Sequence, residues 1–231
     1  IKRRLEETLK TEANISAARE KYRPAATRGS LLYFVVADLG LIDPMYQFSL
    51  RYFTQLFNTT IENSTKSEDL NQRLQIILDS TTENIYTNVS RGLFEKDKLI
   101  FSFLLCAEIL KLQGVINDIE WNFLLRGGLV TEEKRPPKPN HDWLSLEHWN
   151  QALLLVGVCD VFKTLPHDIE HYQQPIYVQI NPELRIVISS NDITTNVPSD
   201  YNTKLSDFQK LLFVKAFAPY SLVQSITYFV A

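Results

Sequence analysis

The chain has 231 residues, 45% of them apolar and 22% charged, with a formal net charge of −3. That is long enough to bury a substantial core, and the scattered Lys and Arg leave no electrostatic footprint for nucleic acid or an anionic membrane. Seven glycines supply little material for phosphate-cradling loops or a many-turned β-protein.

Residues 1–20, "IKRRLEETLKTEANISAARE", contain no Gly or Pro and are rich in strong helix formers. Ile1, Leu5, Leu9, Ala13 and Ala17 form one narrow i+4 row with charged residues around it. Such a row is too thin for a globular helix and suits one strand of a coiled coil, although Glu12 falls where an apolar residue should sit. Pro24 then stops or kinks the helix near Tyr22 and Arg23, and these three residues mark a candidate hinge. Leu31, Leu32, Phe34, Val35 and Val36 follow, apolar on more than one face, as in a buried helix or a buried strand.

Asp43-Pro44 reads as an N-cap with proline at the first helical position. The helix expected after it carries Met45, Phe48, Tyr52, Phe53, Leu56 and Phe57. Ser67, with Glu68 and Asp69, caps the next helix, whose stripe is Leu70, Leu74, Ile77, Leu78, Ile85 and Val89. A further helix runs from "EKDKLIF" to Gly114, and "NDIEWNFLLR" closes on Gly127. "EEKRPPKPNHDW" is a loop, and Ser145 caps "LEHWNQALLLVGV". "LPHDIEHYQQ" suggests a short helix, whereas residues 176–204 are β-branched and turn-rich and have no assigned element. Ser206 and Gln209 form a capping box, and Pro219 interrupts the helix they open. The expected fold is all-α, about eight helices in a bundle with a protruding N-terminal coil.

Cys106 and Cys159 lie in apolar runs and read as buried reduced thiols. Asn14, Asn58, Asn63 and Asn88 open N-x-[ST] triplets, a pattern that recurs by chance. No signal peptide is visible, and no apolar run approaches the ~18 residues of a membrane span. The chain begins in mid-pattern without Met and reads as a cytosolic piece of something larger.

The sharpest catalytic-looking motif is "HDIEH", residues 167–171. It would set His167 and His171 on one helix face for zinc, with Glu170 as base. Catalytic zinc needs a third protein ligand, and none is apparent, so a solvated helix is expected. Two apolar runs end in aspartate, at Asp38 and Asp160, as a magnesium-binding acid after a buried strand would. Leu39 and Val161 follow where an ATPase places its catalytic Glu, and no Gly is followed by Lys, so the phosphate loop is absent. Both aspartates read as helix ends. No nucleophile arrangement is recognisable, and no catalytic, cofactor or metal residue is assigned.

Five stretches together resemble the dynein heavy chains: "AREKYRPAATRGSLLYFVVADL", "IDPMYQFSLRYFTQLF", "NVSRGLFEKDKLIFSFLL", "EWNFLLRGG" and "LSDFQKLLFVKAF". They occur in the family's order over nearly the whole chain, and the Asp43-Pro44-Met45-Tyr46-Gln47 form resembles axonemal members. The resemblance implies that residues 1–22 are the distal part of the buttress (strut) coiled coil. Residues 23–175 would be the helical lid subdomain of the fifth AAA+ module, 176–204 an irregular connection and 205–231 the start of the sixth module. It further implies a structural segment without nucleotide of its own, with ATP and magnesium held by other modules. The implied partners are the stalk coiled coil, neighbouring AAA+ modules, microtubules, and dynein intermediate and light chains, in the axoneme of a cilium or flagellum. Nucleic acid and membrane are not implied. The chain departs from the family at "IYVQINPELRIVISS", usually a Trp-containing helical stretch, and at Ala218-Pro219-Tyr220, usually Arg-Pro-Asp. A reading of a different class is a helical adaptor that binds a partner helix through residues 1–20.

Overall fold

The computed structural model describes residues 2–128, 136–142, 144–171 and 199–231, with first-helix side chains described at 11–17 and 19–21. Among the described residues there is no strand. The α-helices are α1 (Lys2–Lys21), α2 (Arg23–Ile42), α3 (Leu50–Asn63), α4 (Leu70–Ser90), α5 (Glu95–Leu112), α6 (Asp118–Arg126), α7 (Leu146–Val158), α8 (Leu165–His171), α9 (Ser199–Asn202), α10 (Asp207–Phe217) and α11 (Leu222–Val230). The fold is all-α. Eleven α-helices among the described residues exceed the expected count of about eight, and two of them, α9 and α11, were not foreseen. α9 is a single turn, too short to show a period, and α11 resumes after the 3-10 turn Pro219–Ser221. The unassigned stretch 176–198 lies outside the described residues.

The chain divides into two compact units, Ile1–Ile109 and Leu110–Ala231. In the first, α2, α3 and α4 pack against one another. Leu32, Val35, Val36 and Leu39 of α2 recur at helical spacing and meet Phe53, Ile85, Val89, Phe101 and Leu105 in one core. Burying each such side chain contributes about 1.5–3 kcal/mol. Gly29 lets α3 approach closely, since a Cβ there would lie 2.8 Å from Phe57 Cζ. The helical spacing settles the open choice at residues 28–42 in favour of helix. By length and composition α2 could also cross a membrane, with a mean hydropathy of 1.4. This corrects the expectation that no segment approaches a span: Arg28 and Asp38 break the apolar run without lowering the helix average enough. Its Leu32–Leu39 face nevertheless belongs to the core just described.

The Asp43-Pro44 cap is also corrected. Asp43 accepts a hydrogen bond from Met45 N at 2.9 Å, making an Asx turn instead. Ser49 is the cap of α3, accepting from Tyr52 N at 3.1 Å. Met45 therefore stands outside any helix and is exposed. The turn is held by Tyr46, whose hydroxyl donates to buried Asp97 at 2.6 Å and accepts from Phe94 N at 3.0 Å. Asp69, not Ser67, caps α4, and Ser67 braces it by accepting from Asp69 N. α5 ends as expected: Gly114 has φ 74, and Val115 N reaches back to Leu110 O.

α10 is the axis of the second unit, with Phe208, Leu211, Leu212, Phe213, Val214 and Phe217 all buried. Trp149 of α7 packs there too and donates its indole N–H to Pro136 O at 3.1 Å.

Helix ends are closed by cations from neighbouring helices. Arg73 of α4 donates to Ile61 O, Ser64 O, Ser64 Oγ and Thr65 O at 2.6–3.3 Å, covering the carbonyl end of α3. Lys215 of α10 donates to Leu124 O of α6, and burial lowers its pKa. Both place positive charge where the helix dipole is negative.

Arg73→Met should lower unfolding free energy by about 2–3 kcal/mol, the scale of hydrogen bonds to a charged donor. Arg73→Lys should recover only part of it, because an ammonium cannot reproduce the planar fork. Urea denaturation of the three proteins decides it, and equal midpoints would refute the cap.

Burial, then the hydrogen bond to Asp97, raises the Tyr46 pKa. The neutral phenol is thus favoured by folding. Its contribution should be complete below the ordinary tyrosine value of about 10 and lost as pH rises through the raised folded value. Stability measured from pH 7 upward should fall less steeply between the ordinary tyrosine value and the raised folded one in Tyr46→Phe than in the parent chain.

Candidate functional site

α1 and α2 meet at one non-helical residue. Tyr22 has φ −91 and ψ 1, and its N–H bonds Arg19 O at 3.1 Å. Pro24 explains the break, since it has no N–H to give Glu20 and its ring would strike that carbonyl. Ala25 N and Ala26 N bond Tyr22 O at 3.1 and 3.3 Å, so α2 restarts at once. Arg23 bridges the gap with a two-point contact to Glu20, Nε–Oε2 and Nη2–Oε1 both at 3.1 Å. That pair is solvent-exposed and contributes little energy, on the order of 0–1 kcal/mol.

On the α1 side of the break, each described side chain from Thr11 to Lys21 is exposed; on the other, Ala25 and Gly29 are buried. Of the expected coiled-coil row, Ala13 and Ala17 are exposed. Ile1 and the side chains of Leu5 and Leu9 lie outside the described residues. Tyr22, Arg23 and Pro24 lie where α1, whose described side chains are exposed, meets the packed α2. The arrangement at this place is a helix of 20 residues, about 30 Å long, joined to a packed helix through one turn.

The catalytic-looking residues are engaged elsewhere. In α8, Nδ1 of His171 lies 2.8 Å from His167 O, and the two rings stand edge to face at 4.3 Å. Asp168 of the same motif accepts from Tyr201 OH at 2.5 Å and from Thr164 Oγ1 at 3.0 Å, fastening α8 to α9. Glu170 is exposed. Among the described residues no three His, Cys, Asp or Glu side chains are grouped to hold a metal ion. Asp160 follows α7 and pairs with Lys163 at 2.8 Å. Asp38 is not at a helix end; it sits exposed within α2, because that helix runs on to Ile42.

A polar node in the second unit was not foreseen. Glu120 is buried and closes the α6 capping box by accepting from Asn117 N at 3.1 Å. Gln209, which closes the α10 box on Ser206, donates to Glu120 Oε1 at 2.9 Å and to Cys159 Sγ at 3.1 Å. Burial, and after it nearby Glu120 and Asp160, pushes the Cys159 thiol pKa up, despite the lowering effect of a backbone bond to Val161. Burial also raises that of Cys106. Both are free thiols, partly buried. Each capping box is visible as an i,i+3 pattern, but their union across 89 positions leaves no local signal.

No family model matches the chain. Human dynein axonemal heavy chain 6 is 44% identical over the whole of this chain. The dynein-1-beta heavy chain of the flagellar inner arm I1 complex of Chlamydomonas reinhardtii is 34% identical over 96% of it. Human dynein axonemal heavy chain 3 is 43% identical over 62%. The chain spans only 6%, 5% and 3% of the lengths of these three relatives. Identity of 44% over the whole chain and of 34% over 96% of it, to axonemal and flagellar dynein heavy chains, makes this polypeptide a segment of the axonemal dynein heavy chain family.

Proposed function

We propose that this chain is a non-catalytic structural segment of an axonemal dynein motor, passing displacement between the AAA+ ring and the microtubule-binding stalk. On this reading residues 1–22 belong to the buttress, 23–175 to the small subdomain of the fifth module and 205–231 to the entry of the sixth. ATP and magnesium are held by other modules. The stalk coiled coil, adjacent modules and, through the parent complex, microtubules and the intermediate and light chains are its partners in the axoneme. The observation that carries the reading is the junction at Tyr22. A helix whose described side chains are exposed joins a packed one through a single residue, so a shift of α2 would swing α1 about the short break at Tyr22.

In the intact motor, a Gly-Ser insertion after Ala18 should leave basal ATP turnover nearly unchanged and reduce its stimulation by microtubules severalfold. Glycine in a helix interior costs about 1 kcal/mol, enough to soften an exposed rod. A single Ala insertion, which keeps the helix but rotates its face by about 100°, should do intermediate damage. A Gly-Ser motor that responds to microtubules as the parent does would reduce α1 to a passive surface helix.

The 231-residue chain should bind no nucleotide. A fluorescent ATP analogue with magnesium should give no saturable signal at micromolar concentrations. Binding that disappears in Asp38→Asn or Asp160→Asn would overturn the non-catalytic assignment.

A further inference from the structure

We infer that Thr65, in the connection between α3 and α4, is a phosphorylation site for a kinase that reads a carboxylate three residues after its target hydroxyl. The connection carries three hydroxyls, and two are engaged. Ser64 Oγ donates to Ile61 O at 2.7 Å and accepts from Arg73 Nη1 at 2.8 Å. Ser67 Oγ donates to Gln72 Oε1 at 2.7 Å and accepts from Asp69 N at 3.2 Å. Thr65 is exposed and its hydroxyl has no partner among the described residues, while its carbonyl is pinned by Arg73 Nη1 at 2.6 Å. Three residues on, Glu68 is exposed and also without a partner among the described residues.

Conformation sets this pair apart from others with the same spacing. Thr59 and Ser80 also precede a glutamate by three, Glu62 and Glu83, but those pairs lie inside α3 and α4. On a helix, residues three apart share a face at about 5–6 Å, whereas in an extended chain they stand about 10 Å apart. A kinase holds the hydroxyl in line with the γ-phosphate of ATP among phosphate and metal charges, so the carboxylate it selects by charge must stand clear of that centre. Ser64 (φ −69, ψ 147) and Asp69 (φ −75, ψ 120) are extended, and residues 65–67 lie in neither helix nor strand. Arg73 is the second observation. Its four bonds leave from Nη1 and Nη2, and its Nε–H has no acceptor among the described residues. A phosphate on Thr65 would meet that open guanidinium edge beside the carbonyl Arg73 already holds. Transfer breaks the bond from the γ-phosphorus to the β,γ-bridging oxygen of ATP and forms one to Thr65 Oγ1. ADP leaves, and the hydroxyl proton passes to the catalytic carboxylate of the kinase.

The test incubates the 231-residue chain with ATP, magnesium and a Ser/Thr kinase that requires a carboxylate at the third position after its target, and maps the phosphate by tandem mass spectrometry. Thr65 should be modified, while Thr59 and Ser80 should not be, although free peptides of residues 54–64 and 75–85 should accept phosphate at those two positions. Glu68→Gln should slow modification of Thr65 about three- to fivefold, the scale of one exposed charge contact, and Glu62→Gln should leave it unchanged. All of these side chains but Ser80 are exposed, so the two variants should fold. No phosphate on Thr65, equally fast modification of Thr59 or Ser80 in the folded chain, or indifference to Glu68→Gln would overturn the proposal. Phosphorus NMR then reads the environment of the product. The second pKa of the phosphate, about 6 when unperturbed, should lie lower in the chain than in a phosphorylated peptide of residues 60–70, which lacks Arg73. An equal or higher value in the chain would overturn the contact with Arg73.

Discussion

A helix ends with carbonyls that have no partner inside it, and a fold made of short helices has many such ends. This chain meets the constraint with side chains that belong to other helices. Arg73 closes α3 from α4, and Lys215 closes α6 from α10. Gln209 completes its own capping box and then reaches Glu120 in the box of α6. Each contact therefore fixes two things: where a helix stops and which helix lies beside it. Apolar burial supplies the larger energy but little register, since Leu and Phe tolerate sliding. The charged and amide contacts tolerate none.

The junction at Tyr22 follows a different logic. Here the interruption is made by a missing donor at Pro24, and what spans it is an exposed Arg23–Glu20 pair of small energetic weight. The backbone carries the continuity instead, through the bonds from Ala25 and Ala26 to Tyr22 O. A stiff element with one short break can change direction between its halves while each half stays straight. Deeper insertion of α1 into a core would remove that freedom, and a longer loop would absorb the motion.

What could be read from the chain alone tracks the range of each interaction. The caps at Ser145 and Ser206 are i,i+3 signals, and the structure has them where the residues place them. The break at Tyr22 is equally local, written in Pro24. Asp43-Pro44 misleads because the same dipeptide suits an N-cap and an Asx turn. Tyr46 decides between them by reaching Asp97, 51 positions away. The Glu120–Gln209–Cys159 node and the Arg73 cap are hidden for the same reason. Phe34 is hidden in another way: periodicity counts it with Leu32 and Val35 as core, and only the packing shows it outside.

On the proposed reading, these ranges bear on how such a segment would transmit force. Within the first unit, the Arg73 cap ties α4 to α3 and the Tyr46–Asp97 bond ties the turn after α2 to α5, while α2 itself is held by the Gly29–Phe57 approach and by Arg28 Nη1 donating to Thr82 Oγ1 at 3.1 Å. A core held only by interchangeable aliphatic contacts would yield by small slips under load, and displacement would be lost as heat. Directional contacts yield only by breaking, so below that threshold α2 moves with its unit as one body. The compliant place is then Tyr22, where no buried side chain opposes a change of angle. Stiffness on one side of a break and exposure on the other are what a lever arm requires, and both arise from where this chain spends its polar groups.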